Sequence, residues 1–483
     1  MIKKVSWLLA VRLCSPQPVP MDNSSASEAA SGVRRRFQNG KASDLRLFVG
    51  SFVHATKDDP MVMLTNTILG VSSKHIAFLE PIEKLEEIKA MYEIPDLNVI
   101  FMTGSQFMIP GFIDTHIHAP QFPNNGLKLN LPLLDWLQNY TFPTEARLSD
   151  ENYAKQLYPR VVDRLLRNGT TTASYFASLH LPATKILADT VKEKGQRGLV
   201  GKVSMLMNSP DYYKENSLEE SVKENEEFIL YVRSLNTPLV LPIVTPRFAP
   251  TCHAEQLKAL GQLAKKYQCH VQSHLSETRP ELSWVKELFP WSESYTDVYH
   301  KCELLGPKTI MAHGVWLDDA EVKVLKESGV GISHCPNSNI SIRSGLCNVR
   351  RLLDSGVKVG LGTDCSGGYS SSILDSIRQA VQTSNTLAIF DSKLQHLPLS
   401  EIFRLATLGG AEVVAMDDKI GNFEVGKEFD ALLIDLTAAD SPVDCEDQDS
   451  LDDRIQRFLL NGDDRNIIEV YVAGVKVHDR RPT

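Results

Sequence analysis

Between Phe107 and Asp364 the sequence repeats one change of character, from a short strand-like apolar run to an amphipathic helical one. This alternation constrains the fold more than any other feature. The strand-like runs are Phe107 to Asp114, then TTTASYF, RGLVGKVSM, LVLPIVT, CHVQSHL, KTIMAH, GVGISHC and VKVGLGTD, which makes eight. Stretches such as NYAKQLYPRVVDRLLRNG, SVKENEEFILYVRSL and DAEVKVLKESG separate them, with apolar residues near i, i+3 and i+4. The last of these closes on Gly329, a natural helix stop. Eight strand and helix units over roughly 300 residues match an α/β fold of the (β/α)8 TIM-like barrel type, whose usual length is about 250 residues with room for insertions. A doubly wound open sheet is the alternative.

The flanks read differently. LRLFVGSFVHA, MVMLTNTILGV and HIAFLE before the barrel, and FDALLIDL and IIEVYVAGVKVHD after it, are short strands broken by turn residues. Neither flank can bury a core alone, so the two are expected to fold together as a small β-sandwich domain formed by both chain termini. The expected division is a disordered tail over 1–43, rich in Ser, Pro and Ala, the small β domain over 44–107 and 416–483, and the barrel over 108–415. The opening MIKKVSWLLAVRLC imitates a signal peptide, but Arg12 interrupts its apolar patch and no small-residue cleavage site follows, so it reads as a non-secretory tail. DLTAADSPVDCEDQDSLDD, between the two C-terminal strands, reads as a solvated acidic loop.

A net charge of -9 gives no general attraction to nucleic acid phosphates or anionic membranes, so a small-molecule partner is expected. No apolar run reaches the roughly 18 residues that a membrane helix needs. The eight cysteines form no C-x-x-C pair, which suits a reduced, cytoplasmic protein whose cysteines pack as small core residues.

Active sites of such barrels lie at the C-terminal ends of the strands. There the sequence places Asp114, with His116 and His118 running on past it, then Arg247 and Phe248, His274 followed by Glu277, His313, His334 and Asp364. His116 and His118 point the same way if the strand continues through them. Each residue alone has a bland reading, since a strand-end histidine is often a satisfied core residue and a strand-end aspartate often caps a helix. Together, His116, His118, His274, His313 and Asp364 would converge at one mouth. Imidazoles with a carboxylate suit a borderline divalent ion such as zinc or iron, and such an ion lowers the pKa of bound water from 15.7 to about 7. Metal-assisted hydrolysis follows as the expected chemistry, with Glu277 placed three residues after a ligand for general acid and base work.

PGFIDTHIH, HLSE, AHG, SHCPNSN and GLGTDCSGG resemble, in order, the successive signatures of the amidohydrolase superfamily. DTHIHAPQF, VTPRFAP, ESYTDVY and NGDDRN are similar to its guanine-deaminating members over most of the chain from about residue 44. The resemblance implies the barrel with its small β domain and a homodimer. It also implies hydrolytic deamination of guanine to xanthine and ammonia with one Zn2+ per chain. Binuclear members carry a carboxylated lysine at the end of strand four; here that strand reads LVLPIVTPR, without lysine, and Lys202 falls on strand three, where it is structural or solvent-reaching. A mononuclear site is therefore favoured.

The resemblance implies that Gln121 and Arg247 bind a 6-oxo purine while Phe248 lies against the flat base. Otherwise Arg247 would be a barrel-rim ion pair and Phe248 a core aromatic. Of the catalytic residues, Glu277 would deliver the proton, Asp364 would help Glu277 activate the attacking water, and His313 would either orient that water or ligate metal. Cys365 and His334 read as packing residues. Two alternatives stand beside this reading: a mononuclear amidohydrolase acting on another heterocycle, and an amidohydrolase-like scaffold that binds a partner.

Overall fold

A computed structural model describes residues 44–481; the expected N-terminal tail over 1–43 lies outside the described residues. Strands β1 (Leu45–His54), β2 (Val62–Ser72), β3 (His75–Pro81), β4 (Val99–Phe101) and β5 (Gln106–Pro110) precede the barrel. The barrel strands are β6 (Phe112–His118), β7 (Thr170–Phe176), β8 (Arg197–Gly201) with its short continuation β9 (Val203–Ser204), β10 (Val240–Pro246), β11 (His270–Leu275), β12 (Thr309–His313), β13 (Gly331–His334) and β14 (Lys358–Leu361). β15 (Ala431–Asp435), β16 (Ile467–Val472) and β17 (Val475–Asp479) follow.

The barrel strands pair in parallel in the order β6-β7-β8-β10-β11-β12-β13-β14. Across the remaining seam the Asp364 N–H donates to the His116 carbonyl at 2.9 Å, and the His118 N–H to the Cys365 carbonyl at 3.1 Å. Every residue of β6 and β7 is buried, as expected of parallel strands covered on both faces. The helices expected over the three amphipathic stretches form at Glu151–Arg167, Leu218–Ser234 and Asp319–Ser328, and Gly329 ends the last at φ +70°.

Strands from both ends of the chain join in one hydrogen-bonded sheet, β17-β16-β15-β5-β1-β2-β3, with β4 beside β1. Alternation divides its faces: Leu45, Leu47 and Val49 enter one apolar cluster and Phe48 and Phe52 another, while Phe107 and Ile109 of β5 join the core shared with the barrel. A buried charge cluster also ties the two parts, for Arg197 of β8 contacts Asp430 at 3.1 Å and Glu428 at 2.8 Å.

Two elements differ from the sequence reading. The single run from Phe107 to Asp114 is two strands, β5 in the terminal sheet and β6 in the barrel, and β6 continues to His118. The change of sheet falls at Gly111, where a Cβ would lie 2.1 Å from Thr171 Oγ1, so any side chain would block the crossing. The acidic stretch ends in a helix, Leu451–Asn461, opened by a capping box of Ser450 and Asp453.

Candidate active site

Alternation along β6 aims His116 and His118 to the same side, towards His274 near the end of β11. His313 ends β12 with φ +76°, and Asp364 stands three residues beyond β14 with φ +44°, so both are turned inward by left-handed backbone rather than by strand alternation. Asp114, buried within β6, joins these parts. One of its oxygens accepts the Thr363 and His116 N–H groups at 3.0 and 3.2 Å, and the other accepts the Thr363 hydroxyl at 2.6 Å. It is a brace between β6 and the Asp364 loop.

The five expected ligands meet. His118 Nε2 and His274 Nε2 are 3.1 Å apart, Asp364 Oδ1 lies 3.2 Å from His116 Nε2 and 3.4 Å from His118 Nε2, and Asp364 Oδ2 lies 3.8 Å from His313 Nε2. Two overlapping triplets, His116, His118, His274 and His116, His313, Asp364, each keep their donor atoms within 4.8 Å of one another. His274 Nδ1 is 2.6 Å from the Arg247 carbonyl and His313 Nδ1 is 2.9 Å from Asn339 Oδ1. Both acceptors are oxygens, so each Nδ1 donates and Nε2 is the atom turned into the cluster; burial would lower the His313 imidazole, but the charges of Glu277 and Asp364 hold it above its ordinary value. Nε2 of His116 and of His313 is buried and without a hydrogen bond. Burial holds the imidazoles of His116, His118 and His274 below their ordinary value, hence neutral. Three neutral imidazoles beside one carboxylate fit a divalent cation.

Burial would push the Asp364 carboxyl up, but contact with the His116 imidazole and the nearby His313 imidazole hold it well below the usual carboxylate range. Glu277 is the opposite case: burial pushes it up to about 7. Its Oε1 accepts the Ser344 hydroxyl at 2.8 Å, while its Oε2 lies 3.6 Å from His313 Nε2.

A cavity opens over the cluster, with Leu133, Trp136, Leu137, Phe248 and Ile342 as its apolar lining and Gln121, Arg247 and Glu277 as polar groups. All three expected substrate contacts therefore line it. Arg247 does form a buried ion pair, its Nη1 2.6 Å and Nη2 3.1 Å from Glu145. Glu145 and the apolar wall of Leu133, Trp136 and Leu137 were missed by sequence reasoning; nothing in LPLLDWL or TFPTEARL marks them. Asn339, within SHCPNSN, belongs to a recognised signature and could have been found. His334 lies in a separate cavity with Cys347, and Cys365 is wholly buried in the apolar core. Lys202 is fully buried against Glu215 at 2.6 Å, hence structural and out of reach of solvent. NGDDRN is a joint between the last helix and β16, where the Asn466 amide donates to the Asp435 carbonyl at 3.0 Å, and it does not line the cavity.

Residues 107–477 match the amidohydrolase family. The chain belongs to that family. It is 48% identical to a guanine deaminase of Mus musculus over 438 residues, covering 89% of this chain and 96% of that one. It is 37% identical to a guanine deaminase of Escherichia coli over 80% of this chain and 87% of the relative. The crystal structure of guanine deaminase from C. acetobutylicum with bound guanine in the active site superposes with a TM-score of 0.81 at 36% identity, covering 89% of this chain and 99% of that one. The seven described cysteines are free, and among the described residues no helix is long and apolar enough to cross a membrane.

Proposed function

We propose that this chain hydrolyses guanine to xanthine and ammonia, using one zinc ion per chain. The observation that carries the reading is that one cavity joins two sets of groups: a cluster of metal-competent imidazoles and a wall bearing Arg247, Gln121 and Phe248. High identity to guanine deaminases over most of the chain supports the choice of substrate.

His116, His118, His274 and Asp364 would hold the ion. When bound there, zinc lowers the pKa of water from 15.7 to about 7 and so makes hydroxide accessible at neutral pH. Arg247 donates to the 6-oxo group, Gln121 bonds the adjoining purine edge, and Phe248 lies against the ring, which directs C2 towards the cluster. Glu277, with a carboxyl titrating near 7, takes a proton from the attacking water and delivers it to N3. His313, between Glu277 and Asp364, orients that water. A second proton passed through Glu277 to the 2-amino nitrogen lets ammonia leave as the C2 carbonyl of xanthine forms. The apolar wall from Leu133 to Leu137 excludes bulk water.

The same reading includes a homodimer in the cytoplasm. Apolar surface at Ile389, 79% exposed, and Phe390, 85% exposed, supports the first, and the free cysteines support the second. The test of function is ammonia and xanthine release from guanine by zinc-loaded protein. Turnover of adenine or of a triazine in preference to guanine would reject the assignment.

A further inference from the structure

Glu145 is fully buried on the short helix Phe142–Ala146, and its carboxylate accepts four hydrogen bonds. Oε1 takes the Gln121 amide at 2.8 Å and Arg247 Nη2 at 3.1 Å; Oε2 takes Arg247 Nη1 at 2.6 Å and the Tyr213 hydroxyl at 2.8 Å. A carboxylate offers about four lone-pair positions, so this one is saturated and has none left for a metal or a substrate. The Phe142 ring, 5.1 Å from the guanidinium carbon of Arg247, packs over the same group. Whatever Glu145 does for the reaction, it does through Gln121 and Arg247.

Its effect on Gln121 is directional. A carboxylate can only accept, so the amide must turn its NH2 to Glu145 and present its carbonyl Oε1 to the cavity that Gln121 lines. Arg247 can only donate. The wall thus offers one donor and one acceptor in fixed positions, which complements a lactam edge, C=O beside N–H. An amidine edge, C–NH2 beside bare nitrogen, would set donor against donor and acceptor against acceptor. We propose that Glu145 is a positioning residue that fixes this polarity and thereby makes the site select 6-oxo over 6-amino purines. The inference rests on the base-reading roles given above to Gln121 and Arg247.

The variant Glu145→Gln keeps the volume but offers an amide that can donate as well as accept, so Gln121 is no longer held in one orientation. The measurements are KM and kcat for guanine, metal content, and the dissociation constants of hypoxanthine and adenine as competitors. In the variant, KM should rise at least about tenfold with kcat changed by less than about threefold, and the hypoxanthine over adenine preference should narrow at least about tenfold. Metal content should match the wild type. A merely structural residue would lower the melting temperature and the active fraction but leave the preference alone.

A preference equal to that of the wild type, or a fall in kcat at constant KM, overturns the proposal. Should E145Q not fold, Glu145→Asp keeps the charge but shortens the reach, and the preference should then narrow at least about threefold; an E145D chain with the wild-type preference again overturns it. A wild type that prefers adenine or releases no ammonia from guanine refutes the underlying reading instead, and the two failures are thereby separable.

Discussion

Two neighbouring parts of one cavity bury polar groups in opposite ways. Around His116, His118, His274 and His313, ring nitrogens face each other, and Nε2 of both His116 and His313 lacks a hydrogen bond. Along the wall of Gln121, Glu145 and Arg247, the carboxylate is fully engaged by its neighbours. Unmade bonds among buried groups are costly, so the cluster is arranged for something that arrives from outside, a cation. Bonds already made fix geometry, so the wall is arranged to recognise. Chemistry and specificity should accordingly respond differently to mutation.

The largest separation is expected at Glu277. Glu277→Gln removes the proposed proton carrier and leaves every proposed ligand in place, so kcat should fall by about 10²- to 10⁴-fold while metal content, read by elemental analysis, is unchanged. Equal loss of metal and activity would move Glu277 into the ligand set. A smaller effect is expected one layer out, at Asn339, which orients His313. Asn339→Ala should lower kcat by about 10- to 100-fold with metal content, read by elemental analysis, unchanged. The smallest is expected behind the wall. Tyr213→Phe removes a donor to Glu145 and strands the buried Leu179 N–H that its hydroxyl accepts at 3.1 Å. Stability should drop by about 1–3 kcal/mol in denaturant unfolding, with metal content intact. A Tyr213→Phe chain that loses metal would erase the distinction between the two parts.

The two parts also differed in legibility. Ligands at strand ends carry short local patterns: His-x-His needs only strand alternation, and Glu277 sits three residues from His274. Once eight strands are counted, their C-terminal ends must share a face, and the cluster follows. Glu145 carries no pattern, because its partner Arg247 is 102 residues away and its helix is irregular, so only the assembled barrel reveals it. The same limit hid the strand change at Gly111, where one apolar run serves two sheets and the deciding contact is with Thr171. The helix from Leu451 was legible in principle, since Ser450 and Asp453 have capping-box spacing, but the density of acidic residues suggested loop.

On the function proposed above, side chains scattered over some 250 residues, from His116 to Asp364, converge to hold one cation that the reaction requires. Elemental analysis of purified protein, paired with ammonia release from guanine before and after chelation, tests it most directly. About one zinc per chain is expected, with loss of turnover when it is stripped and recovery when it is restored. Full turnover by metal-free protein would contradict it.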